Sequence, residues 1–394
     1  MSEWTKVKLG EICERVTSGG TPKANVSSYY NPPTIPWLKT KEVNYCRITE
    51  TENYISEEGL KNSSAKLISP NSVIIAMYGQ GDTAGRIAIN KIPLATNQAC
   101  CNLTIDKSKA DYEFIYYQLC TLYDKLVSLK AGAAQPNLNA RIIKNLEIIM
   151  PSLPIQHRIA SILSRYDSLI ENYQKQIKLL EEAAQRLYKE WFVNLHFPGH
   201  ENTKIVDGVP EGWEKKRLID LVDVQYGYAF DGKLFNSSGE GMPILRIRNI
   251  PDGITSDYTT EEAQDCYIVH NGDIVVGMDG IFHINSWSGG DAYLVQRACS
   301  FRPKEECMKG FIFQAIQEPI KFFEKTLVGA TVAHLGKKHI DSIELCIPKN
   351  FELYKPFSKF YNQRQGLLSQ IRLLTEARDR LLPKLMSGEI NVES

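Results

Sequence analysis

Stepping alternately four and three residues from Ile159 meets Ile159, Leu163, Tyr166, Ile170, Tyr173, Ile177, Leu180, Ala184, Leu187 and Trp191, and every one is apolar. That rhythm is the seam of a coiled coil. Charged side chains such as Arg158, Arg165, Glu171, Lys175, Glu182 and Arg186 fill positions between, and neither Pro nor Gly interrupts residues 156–192. At 1.5 Å per residue the pattern predicts a helical rod of roughly 50–55 Å. A second run, residues 354–388, repeats the rhythm with Phe357, Phe360, Arg364, Leu367, Ile371, Leu374, Arg378, Leu381 and Leu385. Rods of this length are hard to bury in one compact domain. That favours a coiled coil over two ordinary amphipathic helices packed on separate cores.

The rest of the chain repeats as well. Residues 4–12 match 213–221, 36–43 match 243–250, 71–79 match 272–280, and 146–151 match 343–348. Gly132-Ala133 likewise matches Gly329-Ala330. The offsets are 209, 207, 201 and 197, ending at 194 where Leu179-Leu180-Glu181-Glu182-Ala183 meets Leu373-Leu374-Thr375-Glu376-Ala377. They fall steadily, as expected if the first copy carries longer loops. Two copies of this size are a duplicated domain, not a solenoid.

Runs rich in Val and Ile predict strands at 72–77, 86–90, 102–105 and 146–150 in the first copy, with a helical patch at 111–129. The second copy predicts strands at 242–247, 273–278 and 343–347. Polar loops at 18–33, 78–85 and 130–139 lie between, where binding usually sits. The class is α+β: two similar mixed α/β domains alternating with two long helices. The boundaries are 1–155 for the first globular domain, 156–195 for the first rod, 196–212 for a linker, 213–350 for the second globular domain and 351–394 for the second rod.

With 394 residues and 43% hydrophobic positions, the chain can hold two or three ordinary cores. No apolar run approaches the length of a membrane span, and Met1-Ser2-Glu3-Trp4-Thr5-Lys6 lacks a signal-peptide pattern. Nine scattered cysteines without a Cys-x-x-Cys pair point to reduced thiols in a cytoplasmic setting and away from structural zinc. A net charge of zero neither favours nor excludes nucleic acid.

Catalytic signatures are weak. Asn31-Pro32-Pro33 continues with Thr34, so the aromatic that an adenine methyltransferase would stack on a flipped base is missing. Gly79, Gly81 and Gly85 follow a predicted strand, but Arg86-Ile87-Ala88-Ile89 predicts another strand where a nucleotide site needs a helix N-terminus. There is no P-loop, no paired histidine spacing for a metal and no acidic cluster of nuclease type. What remains suits base and phosphate contacts: Lys23, Asn25, Lys39, Lys41, Gln80, Arg86, Asn97 and Gln98 in the first copy, and Lys233, Arg246, Arg248, Asn249, His283, Gln296 and Arg297 in the second. Arg and Lys suit guanine edges and phosphates; Asn and Gln suit adenine edges.

Several segments in order carry a family resemblance: Leu9-Gly10-Glu11-Ile12 with Ser18-Gly19-Gly20-Thr21-Pro22; Gln135-Pro136-Asn137-Leu138; Pro151-Ser152-Leu153-Pro154-Ile155-Gln156; Trp191-Phe192-Val193-Asn194; Phe197-Pro198-Gly199-His200; and Pro210-Glu211-Gly212-Trp213. Together with the duplication, the chain resembles the specificity subunit of type I restriction–modification systems. The second copy departs at Val332-Ala333-His334-Leu335 and at Pro348-Lys349-Asn350-Phe351, which touches only the local geometry there. The resemblance implies target-recognition domains held apart by rods that pair antiparallel, and a double-stranded DNA target of two half-sites with an unspecified spacer. It implies two modification subunits docked on the helices and restriction subunits beyond them. S-adenosylmethionine, ATP and magnesium would belong to those partners, and this chain would be the non-catalytic reader. A rod of roughly 50 Å corresponds to about one to one and a half turns of duplex, at ~34 Å per turn. Two other readings are the reading part of a fused restriction–methylation enzyme, which would need methyltransferase motifs in the chain, and a coiled-coil scaffold that binds only protein.

Overall fold

A computed structural model describes residues 4–131, 137–326 and 333–392. Met1-Ser2-Glu3, Gly132-Ala133, Gln135-Pro136, Gly329-Ala330 and Val332 of the sequence argument lie outside the described residues. The chain divides into two compact units, Met1–Ser168 with Thr375–Ser394, and Leu169–Leu374. Both divisions fall inside long helices, Leu153–Tyr188 and Lys355–Met386, because each globular core recruits the nearer segment of both.

In the first unit a five-stranded sheet runs in the order Cys13–Ser18, Cys100–Ile105, Val73–Ala76, Ile87–Asn90, Cys46–Ile48. Only its last pair is parallel. The strand Val73–Ala76 is buried at every position because it serves two cores. Successive strand side chains point to opposite faces. Val73 and Ile75 therefore pack with Phe114, Ile115 and Tyr117, while Ile74 and Ala76 pack with Leu38, Leu94 and Cys100. The second of these cores joins a smaller sheet, Tyr54–Ile55, Ile35–Leu38, Leu94–Thr96, Leu67–Ile68. The expected helical patch is two helices, Tyr112–Cys120 and Tyr123–Ala131; the Asp111 carboxylate caps the first by accepting from the Phe114 N–H at 2.9 Å.

The second unit repeats this plan with Val222–Tyr226, Ala298–Pro303, Ile274–Gly277 and Ile284–Ser286 in one sheet. The duplication extends to register. Thr5 faces Met150 and Glu214 faces Ile347, related by the offsets 209 and 197; Ile75 faces Cys101 as Val276 faces Cys299. The copies differ where the first adds Cys46–Ile48 at the sheet edge, a strand the sequence pattern did not indicate.

Within each unit the long helices run antiparallel. In the first, Arg158 donates to the Val392 carbonyl at 2.7 Å, and Arg378 binds Asp167 at 2.7 Å. In the second, Arg364 binds Glu181 at 2.6 Å, and Trp191 lies 6.0 Å from Phe357 between ring centroids. Seam residues Ile159, Leu163, Ile170, Ile177 and Leu385 are buried; Tyr166, Tyr173, Leu180, Leu187, Trp191, Phe360, Leu367, Ile371, Leu374 and Leu381 are half-buried.

The two seam arginines are anchored by charge. Asp167, 6% exposed, accepts from Arg378, from Arg47 at 2.8 Å and from the Tyr117 hydroxyl, and Arg47 also pairs with Glu113. Arg364, 8% exposed, meets Ser286 and Asn285 as well as Glu181. Each sheet edge is thereby tied to the helices by buried, hydrogen-bonded charge.

Candidate nucleic-acid interface

Four strand ends meet at one edge of the first unit. Cys13–Ser18 and Val73–Ala76 finish there, while Ile87–Asn90 and Cys100–Ile105 begin. Three backbone bonds pin the loops that leave it: Gly19 N–H to Cys100 O (3.2 Å), Met77 N–H to Ala99 O (2.7 Å) and Leu138 N–H to Met77 O (3.2 Å). The second unit carries the same three at corresponding positions. These are Gly227 N–H to Ala298 O (3.0 Å), Met278 N–H to Arg297 O (2.8 Å) and Leu335 N–H to Met278 O (2.7 Å). Loops 18–33, 78–85 and 97–99, and their counterparts, therefore emerge from one end of each sheet.

The close approach at that end explains a glycine in both copies. An ideal Cβ on Gly19 would lie 2.1 Å from the Asn97 carbonyl oxygen, and one on Gly227 would lie 2.2 Å from that of Val295. Gly19→Ala should cost about 1–3 kcal/mol in thermal or urea unfolding. Gly232→Ala, with nothing within 4 Å of its Cβ, is the control and should cost far less. Equal losses in the two variants would contradict the packing argument.

The candidate residues fall into distinct settings. In the first unit Gln98 accepts from the Thr21 hydroxyl, which draws loop 18–33 onto the 97–99 turn. Asn97 Oδ1 accepts from the Cys100 thiol at 3.3 Å. Arg86 pairs with Asp82 at 2.6 Å and donates to Asn44 at 3.1 Å, closing the 78–85 loop; Asp82 is held below the usual carboxylate range by Arg86. Lys23, Asn25 and Gln80 are exposed. Lys39 donates to Asn53 at 2.9 Å and lies over the Trp37 ring, and Lys41 pairs with Glu52 at 2.6 Å. In the second unit Gln296, Arg297 and the half-buried His283 lie at the sheet end, and Arg297 pairs with Asp279 at 3.3 Å. Lys233 is exposed, Arg246 lies over Phe235, and Arg248 is held by both oxygens of Asp257.

Asn249 is engaged within its own turn. Its amide oxygen accepts from the Arg246 N–H at 2.9 Å, as Glu42 accepts from the Lys39 N–H at 3.1 Å in the first copy. The Asn249 oxygen thus caps a turn, with one of its two lone pairs engaged.

The sequence reading missed Tyr45, Asn44 and Tyr123 beside Arg86, and Asp279 and His334 beside Arg297. Tyr45 is 40% exposed with φ 51°, and its ring centroid is 6.3 Å from that of Tyr123. Nothing in local composition signals that backbone. Burial pushes the Cys13 and Cys101 thiols up to about 12, which removes them as nucleophiles at neutral pH. Among the described residues no group of three His, Cys, Asp or Glu could hold a metal, and no helix is long and apolar enough to cross a membrane.

Comparison with known proteins matches the type I restriction modification DNA specificity domain at residues 1–182 and 210–372. The type I restriction enzyme MjaIX specificity subunit of Methanocaldococcus jannaschii is 28% identical over 427 residues, covering 99% of this chain and 94% of that protein. The EcoR124I/EcoR124II specificity subunit of Escherichia coli is 27% identical over 198 residues, covering 50% of this chain and 48% of that protein. The crystal structure of a type-I restriction-modification system S subunit from M. genitalium shares the fold. Its TM-score is 0.59 at 18% identity, covering 98% of this chain and 96% of that one.

Proposed function

Since this chain belongs to the type I restriction modification DNA specificity family, we propose that it is the non-catalytic reader of a split, asymmetric double-stranded DNA target. One observation carries this reading. Two domains of matching central strand register carry different residues at the same sheet end: Tyr78 and Asn137 in the first copy stand where Asp279 and His334 stand in the second, and buried Ala99 stands where exposed Arg297 does. A common scaffold with unlike contact residues reads unlike half-sites, because base edges are discriminated by side-chain donors and acceptors. The long helices set the spacer and dock two modification subunits, with restriction subunits joining them. S-adenosylmethionine, ATP and magnesium serve those partners.

The test is methylome sequencing of cells expressing this chain with its modification subunit. A single split adenine motif with unlike halves is expected. A continuous or palindromic motif would overturn the reading. Radiolabelled methyl transfer by the purified chain alone would favour the fused-enzyme alternative. Absence of salt-sensitive DNA retention by the assembled complex would favour the protein-only scaffold.

A further inference from the structure

We propose that Arg297, paired with Asp279, which His334 in turn engages, reads a guanine in the half-site recognised by the second unit; this deepens the DNA-reading function above and rests on it. Arg297 has φ 71°, a left-handed backbone that non-glycine residues rarely adopt, and its side chain is 69% exposed. The turn is pinned on both sides by Gln296 N–H to Tyr228 O and Met278 N–H to Arg297 O, each 2.8 Å. Asp279 is only 20% exposed, and its two oxygens are divided: Oδ2 lies 3.3 Å from Arg297 Nε, and Oδ1 lies 2.6 Å from His334 Nδ1. The backbone bridge between Asp279 and His334, with Gly280 N–H to Ala333 O at 3.0 Å, brings these two segments side by side.

The contact to Arg297 is made through Nε, at the base of the guanidinium. Among the described residues its two terminal nitrogens make no hydrogen bond, and Nε is its nearest approach to Asp279. With 69% of the side chain exposed, the planar fork is accessible to solvent, and a fork of this kind matches guanine O6 and N7. An exposed ion pair on its own contributes little to stability, so it does not account for holding an arginine in a strained turn. Arg248 is a contrasting case, since Asp257 engages both its Nε and a terminal nitrogen. The first unit has Tyr78, Ala99 and Asn137 at the corresponding positions and so lacks this reader.

The experiment uses the full chain assembled with its modification subunits, with methylation read across randomised half-sites. The half-site that persists when the first domain is exchanged is the one assigned to the second unit. It should contain one specified guanine. Arg297→Gly removes the side chain and relaxes the left-handed backbone, so it should fold at least as well as the parent. Discrimination at that guanine should fall about 10- to 100-fold, with the other half-site unchanged. Asp279→Asn should weaken discrimination at the same base pair, through a looser Arg297. If Arg297 contacts only a phosphate, Arg297→Gly will weaken all sequences evenly and Arg297→Lys will restore binding; that result overturns the assignment. A split motif without the guanine overturns this assignment alone, whereas no split motif at all also overturns the DNA-reading function beneath it.

Discussion

Asp167→Ala should destabilise the first unit by about 3 kcal/mol in urea or thermal unfolding, because Arg47 and Arg378 lose the buried carboxylate they share and keep Glu113 and Asp379. Arg47 and Arg378 approach the same carboxylate at 2.8 and 2.7 Å, and the Asp167 and Arg47 side chains are 7% and 6% exposed. Asp167→Asn should cost nearly as much, since an amide keeps the shape but not the charge. Asp379, which also touches Arg378 but is 56% exposed, is the control; its loss should fall within about 0.5 kcal/mol. The pair also sets a pH dependence. Burial alone would raise the Asp167 carboxyl, but hydrogen bonds from Tyr117, Arg378 and Arg47 outweigh it and hold the group below its usual range. A carboxylate depressed in the folded state stabilises above its unfolded value, ~3.9, and loses that contribution as pH falls through the lower folded value. The gap between the parent and Asp167→Asn should therefore be flat from about pH 5 to 7 and close below about pH 4. A loss under about 1 kcal/mol at pH 7 would show that the ionic anchor is dispensable.

Exchanging residues 4–154 for the matching region of a relative should rewrite one half of the methylated motif and leave the other intact. Each mismatched base pair costs about 1–3 kcal/mol, so three changed positions would lower methylation of the original target by at least a hundredfold. The structure specifies what such an exchange must respect. The first core includes Ile159 and Leu163 of one long helix and Leu385 and Met386 of the other, and Asp167 needs Arg47 and Tyr117 opposite it. A donor lacking those two residues should give an unstable chimera, which an unfolding measurement separates from altered specificity. A motif changed in both halves by a well-folded chimera would defeat the modular reading.

Much of this was legible in the chain itself. The heptad rhythm from Ile159 to Trp191 foretold a helix found at Leu153–Tyr188, and the Val and Ile run at 72–77 foretold the strand Val73–Ala76. The falling offsets aligned the two copies; the matched registers of Thr5 with Met150 and Glu214 with Ile347 follow the same offsets but came from the structure. These features are encoded locally, as periodicity over ten to thirty residues, and duplication repeats the local code. Of the candidate site, the sequence supplied the residue types and the loops that carry them, but not their engagements: Asn249 capping its own turn, or Arg86 tied to Asp82.

What tertiary structure alone decided is which distant groups meet. Arg378 and Arg364 stand at seam positions on paper, yet their partners Asp167 and Glu181 lie 211 and 183 residues away in the chain. The edge strand Cys46–Ile48 forms because a neighbour, Ile87–Asn90, offers it a parallel ladder. Arg297 is left-handed in a turn flanked by backbone bonds from Gln296 and Met278, whose partners lie far away in the chain or across the sheet. Such pairings depend on closing long loops and on burying charge together, and neither leaves a mark in the local pattern of apolar and polar residues.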